Sequence, residues 1–182
     1  MRGRRLKVPA GAALRPTQDA VREALFSMLM LEVPQSNFLD LFAGTGSVGI
    51  EAWSRGAATV TWVESDRRTT RTLRENVDTL CGPGDHRVVT DDVFRWLERG
   101  DRGPSWDLVF ADPPYGDATT DDGIEQLLVL LAASGRMAAG GIFVAEQRTG
   151  RPMPQAPGWN RIKDRRYGQT RLVMFSPLSF NT

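Results

Sequence analysis

Asp112-Pro113-Pro114-Tyr115 puts a carboxylate, two ring-locked residues and an aromatic face within one tetrapeptide. Proline fixes φ, so the carbonyls of such a segment are held in place before any ligand arrives. A carboxylate and a fixed carbonyl together accept both hydrogens of a planar NH2 group. The tyrosine ring offers a stacking face worth roughly 1–3 kcal/mol to a nucleobase. The chemistry served is methylation of an exocyclic amine, whose nitrogen is a poor nucleophile because its lone pair is delocalised into the ring. Holding both hydrogens favours a pyramidal nitrogen and aims the lone pair in line at a methyl donor. The same acceptors stabilise the positive charge growing on nitrogen. No metal or covalent intermediate is required. Asp112, Pro113, Pro114 and Tyr115 are therefore the candidate catalytic residues. Alone, the tetrapeptide reads as a proline-rich turn with a surface tyrosine, so its weight depends on what precedes it.

What precedes it is Gly44-Thr-Gly-Ser-Val-Gly49, which matches G-x-G-x-x-G, with Glu64 standing 18 residues after Gly46. An acid about 20 residues beyond such a loop accepts hydrogen bonds from ribose hydroxyls. That spacing suits any adenosine cofactor and leaves NAD and S-adenosylmethionine to be separated. Asp40, just before the loop, suits a ligand with an ammonium group and is awkward beside a pyrophosphate, which wants bare N–H groups at a helix N-terminus. It also reads as a strand-end carboxylate capping the loop. Phe42, Ala43, Gly44, Thr45 and Gly46 in the loop, and Ser65 after Glu64, are expected to line the cofactor. Of Asp91 and Asp92, one suits the amine of adenine, with the Val93 N–H toward the ring, while the other caps the next helix. Asp92 is the expected binder, and Asp112 is counted with the cofactor residues as well.

These groups need a scaffold that brings loop ends together. Thr17 is a plausible cap for a helix whose apolar face is Val21, Ala24, Leu25, Met28 and Leu29, stopped by Pro34. From Phe38 the pattern alternates: strands at Phe38–Phe42, Thr59–Val63, Arg87–Thr90, Trp106–Ala111 and Ile142–Glu146, separated by helical stretches. A Gly140-Gly141 turn is expected before the last of these. Strands spaced by helices predict an α/β fold, a parallel sheet with helices on both faces. Trp159–Tyr167 and Thr170–Ser176, joined by Gly168-Gln169, read as a closing antiparallel hairpin. Residues 1–36 are expected to be an arm and helix packed on a single unit formed by residues 37–182.

The 182 residues, 41% apolar and 25% charged, fit an ordinary globular chain rather than a disordered one. One cysteine and one histidine exclude a disulfide framework and a His-rich metal site. No apolar run approaches a membrane span, and the basic N-terminus lacks an apolar signal core, so a cytoplasmic protein is expected. The net charge of +1 conceals +3 in residues 1–36, −8 in 37–146 and +6 in 147–182. The two ends would attract a polyanion. Arg2, Arg4, Arg5 and Lys7 at one end, with Arg161, Lys163, Arg165 and Arg166 at the other, are the candidate RNA-binding residues, although strand alternation lets only some share a face.

Three blocks, Leu14–Phe26, Leu39–Ala52 and Asp112–Tyr115, together resemble the RsmD family of bacterial 16S rRNA guanine-N2 methyltransferases over nearly the whole chain. The resemblance implies a class I S-adenosylmethionine-dependent methyltransferase, Rossmann-like, with a seven-stranded, mostly parallel sheet ending in the antiparallel hairpin. It implies a monomer acting on a loop guanine of the assembled or nearly assembled small ribosomal subunit. It also implies that Arg15-Pro16-Thr17 reaches the cofactor site, Glu64 binds ribose, Asp92 binds adenine and Asp112–Tyr115 hold the guanine. Relatives often carry a longer N-terminal strand, so the RNA grip of the arm is expected to be weaker here. They often have Phe where Tyr115 stands, and either ring can stack. A DNA amino-methyltransferase would use the same tetrapeptide, but a separate target-recognition domain is not evident. A non-catalytic assembly factor has no use for Asp112 and both prolines. An NAD oxidoreductase finds no proton relay of Tyr, Lys or His.

Overall fold

The computed structural model describes residues 6–7, 16–100, 103–114 and 123–178, with the backbone alone at 16–18. In chain order its elements are α1 (Pro16–Met28), β1 (Asn37–Leu41), α2 (Ser47–Ser54), β2 (Thr59–Glu64), α3 (Arg67–Leu80), β3 (His86–Thr90), α4 (Val93–Arg99), β4 (Trp106–Ala111), α5 (Ile124–Ser134), β5 (Met137–Arg148), β6 (Trp159–Tyr167) and β7 (Thr170–Pro177). The strands form one sheet in the order β3-β2-β1-β4-β5-β7-β6. Strands β1 to β5 pair in parallel, and β7 runs antiparallel between β5 and β6. This is the mostly parallel α/β sheet with a closing hairpin that the alternation of patterns predicts.

Alternation along each strand sends its residues to two cores. Phe38, Val60, Trp62, Leu108, Phe110, Val144, Leu172 and Met174 face α1, α2 and α3. Leu39, Leu41, Val63, Val109, Ala111, Phe143, Ala145, Val173 and Phe175 face α4 and α5. On α1 the apolar stripe is buried as Val21, Leu25 and Leu29, with Phe26 added, while Met28 is only partly covered. Pro16 is the first helical residue, where its missing N–H costs nothing, so Thr17 lies inside α1 and is not its cap.

The sheet differs from expectation at one strand. Gly140-Gly141 does not turn the chain before β5; it lies within it, where the register with β4 jumps between Trp106 and Leu108. A Cβ on Gly141 would stand 3.0 Å from the carbonyls of Ala138 and Trp106. The glycines thus accommodate a bulge, which needs a residue without a side chain where two backbones close on each other.

The strand order reverses between β1 and β4, the switch point beyond whose carboxyl ends α/β sheets hold their ligands. The loops after β1, β2, β3 and β4 meet there, and so does the β6–β7 turn, because β7 starts beside the end of β5: Arg148 pairs with Thr170.

Candidate active site

The loop after β1 is built by three backbone conformations that L side chains rarely adopt: φ is +56° at Phe42, +55° at Gly44 and +86° at Gly46. For Phe42 this costs about 1–2 kcal/mol. The left-handed residue breaks the strand alternation, so Leu41 and Phe42 both pack toward the α4–α5 core, Phe42 edge-on to Phe94 at 5.8 Å. Gly49 is required by packing, since a Cβ would lie 2.2 Å from Nε1 of the rigid Trp62 indole, and Gly46 by its left-handed backbone, with a Cβ also crowding Leu73 Cδ1 at 2.2 Å. At Gly44 a Cβ would meet nothing within 4 Å. Two glycines seat α2 on the sheet, and the third faces open space, as a backbone that must approach a ligand does.

Gly46 is the N-cap of α2 and has no side chain to satisfy the helix's free N–H groups. Asp40 supplies the missing acceptor: its Oδ2 takes the Gly49 N–H at 2.8 Å. At 1% exposure Asp40 presents no surface to a ligand. The direct cofactor contact expected of it gives way to support of the loop from below. Burial pushes its carboxyl well above the ordinary range, against the Gly49 N–H, and the charges of Asp112 and Glu64 push the same way.

Glu64 joins two loops. Oε2 accepts from the Gly44 N–H at 2.9 Å and Oε1 from the Asp66 N–H at 2.8 Å. Each carboxylate oxygen has a second lone pair, so these bonds orient Glu64 and leave it able to accept from a diol. Ser65 is exposed beside it, and Asp66 caps α3 through Thr69, whose N–H and hydroxyl hold the Asp66 carboxyl below its usual range.

After β3, Asp92 is the N-cap of α4, its Oδ1 accepting the Arg95 N–H at 3.0 Å. Asp91 accepts the Asp92 N–H at 2.9 Å and pairs with Arg99. The capping expected of one of the pair falls on Asp92, the residue expected to bind rather than cap, and Asp91 is the one left out of the cap. Val93 is buried at the start of α4.

Asp112 follows the last residue of β4, half-buried, with Pro113 buried and Pro114 exposed. Burial raises its carboxyl to about 6. Asp40, Glu64 and Asp112 thus lie near enough at the switch point for their charges to act on one another, Asp40 beneath the loop and pushed toward its neutral form. Arg15 and Tyr115 lie outside the described residues, as do Arg2, Arg4 and Arg5 of the arm.

The remaining basic candidates separate. Lys7 is docked, its ammonium 3.1 Å from Glu75. Arg161 pairs with Phe175 at the far end of β6, roughly 20 Å from the hairpin turn by strand rise. Lys163 and Arg165 stand opposite Met174 and Leu172 on the α1–α3 face, Arg166 opposite Arg171 on the other. Only Arg165 and Arg166 reach the ligand-holding edge of the sheet, and on different faces, as alternation requires.

Sequence reasoning missed Asn76. It is 1% exposed and fully engaged: Oδ1 accepts the Lys7 N–H at 2.9 Å, and Nδ2 donates to the carbonyls of Lys7 and Thr45, each at 3.0 Å. One side chain therefore ties the arm to the glycine loop. The signal was present, an amide inside the apolar stripe Leu73, Val77, Leu80 of α3. Asn76→Ala strands buried polar partners at about 1–3 kcal/mol for the group, and urea unfolding should register a loss of that size together with weaker adenosine binding.

The sequence model of the family described as "Conserved hypothetical protein 95" matches residues 1–176. The protein named ribosomal RNA small subunit methyltransferase D from Haemophilus influenzae is 34% identical over 168 residues, spanning 92% of this chain and 85% of that protein. Its Escherichia coli K12 counterpart of the same name is 36% identical over 175 residues, 96% of this chain and 85% of that one. The chain belongs to the RsmD family. The solved structure of Escherichia coli yhhF superimposes on this RsmD-family fold with a TM-score of 0.79 at 31% identity, covering 97% of this chain and 93% of that one. Within the RsmD-family chain the glycine loop, Glu64 and Asp112 stand at one sheet edge, in the order the motifs imply.

Proposed function

We propose that this chain transfers a methyl group from S-adenosylmethionine to the exocyclic N2 amine of a guanine in the 16S rRNA of the small ribosomal subunit. The observation that carries the reading is the rigid Asp112-Pro113-Pro114 segment at the end of β4, beside Glu64 and Asp40 at the switch point. Membership of the RsmD family supports the small-subunit rRNA substrate. The open space over Gly44, with the carboxyl groups of Glu64 and Asp112 beside it, fits a ligand that carries an adenosine and positive charge.

When bound, S-adenosylmethionine supplies an electrophilic methyl on a sulfonium. The loop from Phe42 to Gly46 would hold it, with Glu64 on the ribose diol and Asp92 and Val93 at the adenine. Asp112 and a carbonyl of the proline pair accept the two amine hydrogens, and Tyr115 stacks on the base. Asp112, ionised, stabilises the charge developing on nitrogen and takes the proton or passes it to water. Unstacking the base costs a few kcal/mol, least in a loop. Arg165 and Arg166 hold phosphates at the hairpin side. The reading includes a monomer working in the cytoplasm, and no helix among the described residues is long and apolar enough to cross a membrane.

Incubation with methyl-labelled S-adenosylmethionine and small subunits, 16S rRNA or DNA, followed by digestion to nucleosides, tests the reading. Label is expected in N2-methylguanosine. Label confined to N6-methyladenine or N4-methylcytosine in DNA would replace the substrate. Absence of label from every nucleic acid would remove the enzyme.

A further inference from the structure

We propose that the outer face of α3, together with the edge of β3, is a second RNA-binding surface that grips backbone phosphates through Arg67, Arg71 and Arg74. The proposal rests on the rRNA-substrate reading above and adds a contact region to it. The three arginines recur at i, i+4 and i+7, so they form one stripe along the helix. All three are exposed, and with Glu75, Asp78 and Thr90 they line a groove of about 490 Å³.

The groove is cationic after its internal pairing is counted. Glu75 is matched by the Lys7 ammonium at 3.1 Å, which leaves Asp78 as the remaining acid against three guanidinium groups. Arg74 is already positioned, Nη2 donating to Thr90 Oγ1 at 2.9 Å across the groove. Arg67 and Arg71 enter no ion pair among the described residues.

The helix's own stability does not account for this charge pattern. Helices favour acids in the first turn and bases in the last, yet α3 begins with Arg67-Arg68 and carries Glu75 and Asp78 toward its end. Nor does the surrounding composition. Residues 37–146 hold 18 acidic and 10 basic side chains, and four of those ten are in α3. Cations concentrated at the less favourable end of a helix, within an acidic stretch, are explained by a partner that carries negative charge.

The placement identifies that partner as the substrate. Thr90 leads directly into Asp91-Asp92, so the groove adjoins the adenosine end of the site. It lies at the β3 side of the sheet, while Arg165 and Arg166 lie on β6 at the other side, six strand spacings or roughly 29 Å away. The target amine would be presented between two phosphate-holding flanks. The arm that carries Arg2, Arg4 and Arg5 is fastened to the same helix through Lys7.

The test is a charge reversal, Arg67→Glu with Arg71→Glu, and the neutral pair Arg67→Gln with Arg71→Gln. Affinity for 16S rRNA and small subunits is measured between about 50 and 200 mM salt. The reversal should weaken binding at least tenfold and make the log K against log salt slope shallower by roughly 1.5, from two lost phosphate contacts. The neutral pair should lose less affinity and the same slope. S-adenosylmethionine affinity and kcat at saturating RNA should stay at wild-type values. The neutral pair should melt at the wild-type temperature and serves as the folding control, because the reversal sets an acid at position 71 four residues from both the new acid at position 67 and Glu75, like-charge spacings that destabilise a helix. Wild-type RNA affinity and slope in both pairs, with the parent enzyme methylating rRNA, would overturn this surface and leave the enzyme reading standing. A parent protein that neither binds nor methylates rRNA would overturn both.

Discussion

Asp112→Asn lowers the methyl-transfer rate at saturating substrates by about 10²–10³-fold, the size expected when one oriented group is withdrawn from a transition state, with a far smaller change in S-adenosylmethionine affinity. Asparagine keeps the shape but offers one oxygen and an NH2, which confronts the hydrogens it should accept. The pH dependence separates this role from a structural one. Burial holds the Asp112 carboxyl at about 6, so kcat/KM should rise tenfold per pH unit below that value and level above it. Bound cationic cofactor favours the ionised form, so the corresponding inflection in kcat should lie lower. In the variant both profiles lose this limb.

The same carboxyl costs stability, and the sign follows from its direction. A folded-state value raised above the unfolded one means the native protein holds the proton more tightly than the unfolded chain does. The favourable contribution is complete below about pH 4 and is lost as pH rises through about 6. At pH 8 Asp112→Asn should therefore be more stable than wild type, by roughly 2–3 kcal/mol at most. The two should converge toward pH 4, and urea unfolding at both ends of the range measures this. A variant gaining stability while losing turnover is the signature of a residue kept for its chemistry.

Gly49→Ala should bring the largest loss of stability. Its Cβ would stand 2.2 Å and 2.6 Å from Trp62 Nε1 and Cε2, a rigid and wholly buried indole that has nowhere to go. Overpacking of this kind costs about 1–3 kcal/mol or more. Here it also displaces the N–H that Asp40 binds and leaves a buried carboxyl without its donor. Gly44→Ala meets no neighbour. Its cost is the left-handed backbone alone, about 1 kcal/mol, yet the added methyl enters the open space proposed above for the cofactor. Thermal melting with and without S-adenosylmethionine distinguishes them. Gly49→Ala should melt lower in both conditions; Gly44→Ala should melt near wild type alone and gain little from the ligand. Equal melting of the two variants without ligand would contradict the packing account.

Most of the scaffold was legible because its signals are local. The glycine loop, the strand-ending Glu64 and the Gly168-Gln169 turn each follow from residue type and spacing, and the hairpin closes the sheet as expected. Asp40 was harder. Ligand contact and loop capping ask for the same carboxylate at the same place, and only its depth decides between them. The bulge at Gly140-Gly141 was misread as a turn because both need glycine; the difference lies in β4, which pairs on either side of the jump. Asn76 was overlooked because its partners, Lys7 and Thr45, are 69 and 31 residues away in sequence. Arg161 could be separated from Arg165 only once the direction of β6 across the sheet was known.

The outermost strand has one further consequence. Among the described residues β6 ends the sheet with a margin of backbone groups that no further strand pairs, which in an apolar strand would template aggregation. Arg161, Lys163, Asp164, Arg165 and Arg166 charge that margin on both of its faces, and a register shift between Arg161 and Lys163 interrupts it. A second molecule approaching along it would have to strip water from these ions in exchange for a few main-chain bonds. Side chains proposed to hold a polyanion would thereby also oppose edge-to-edge pairing of two molecules.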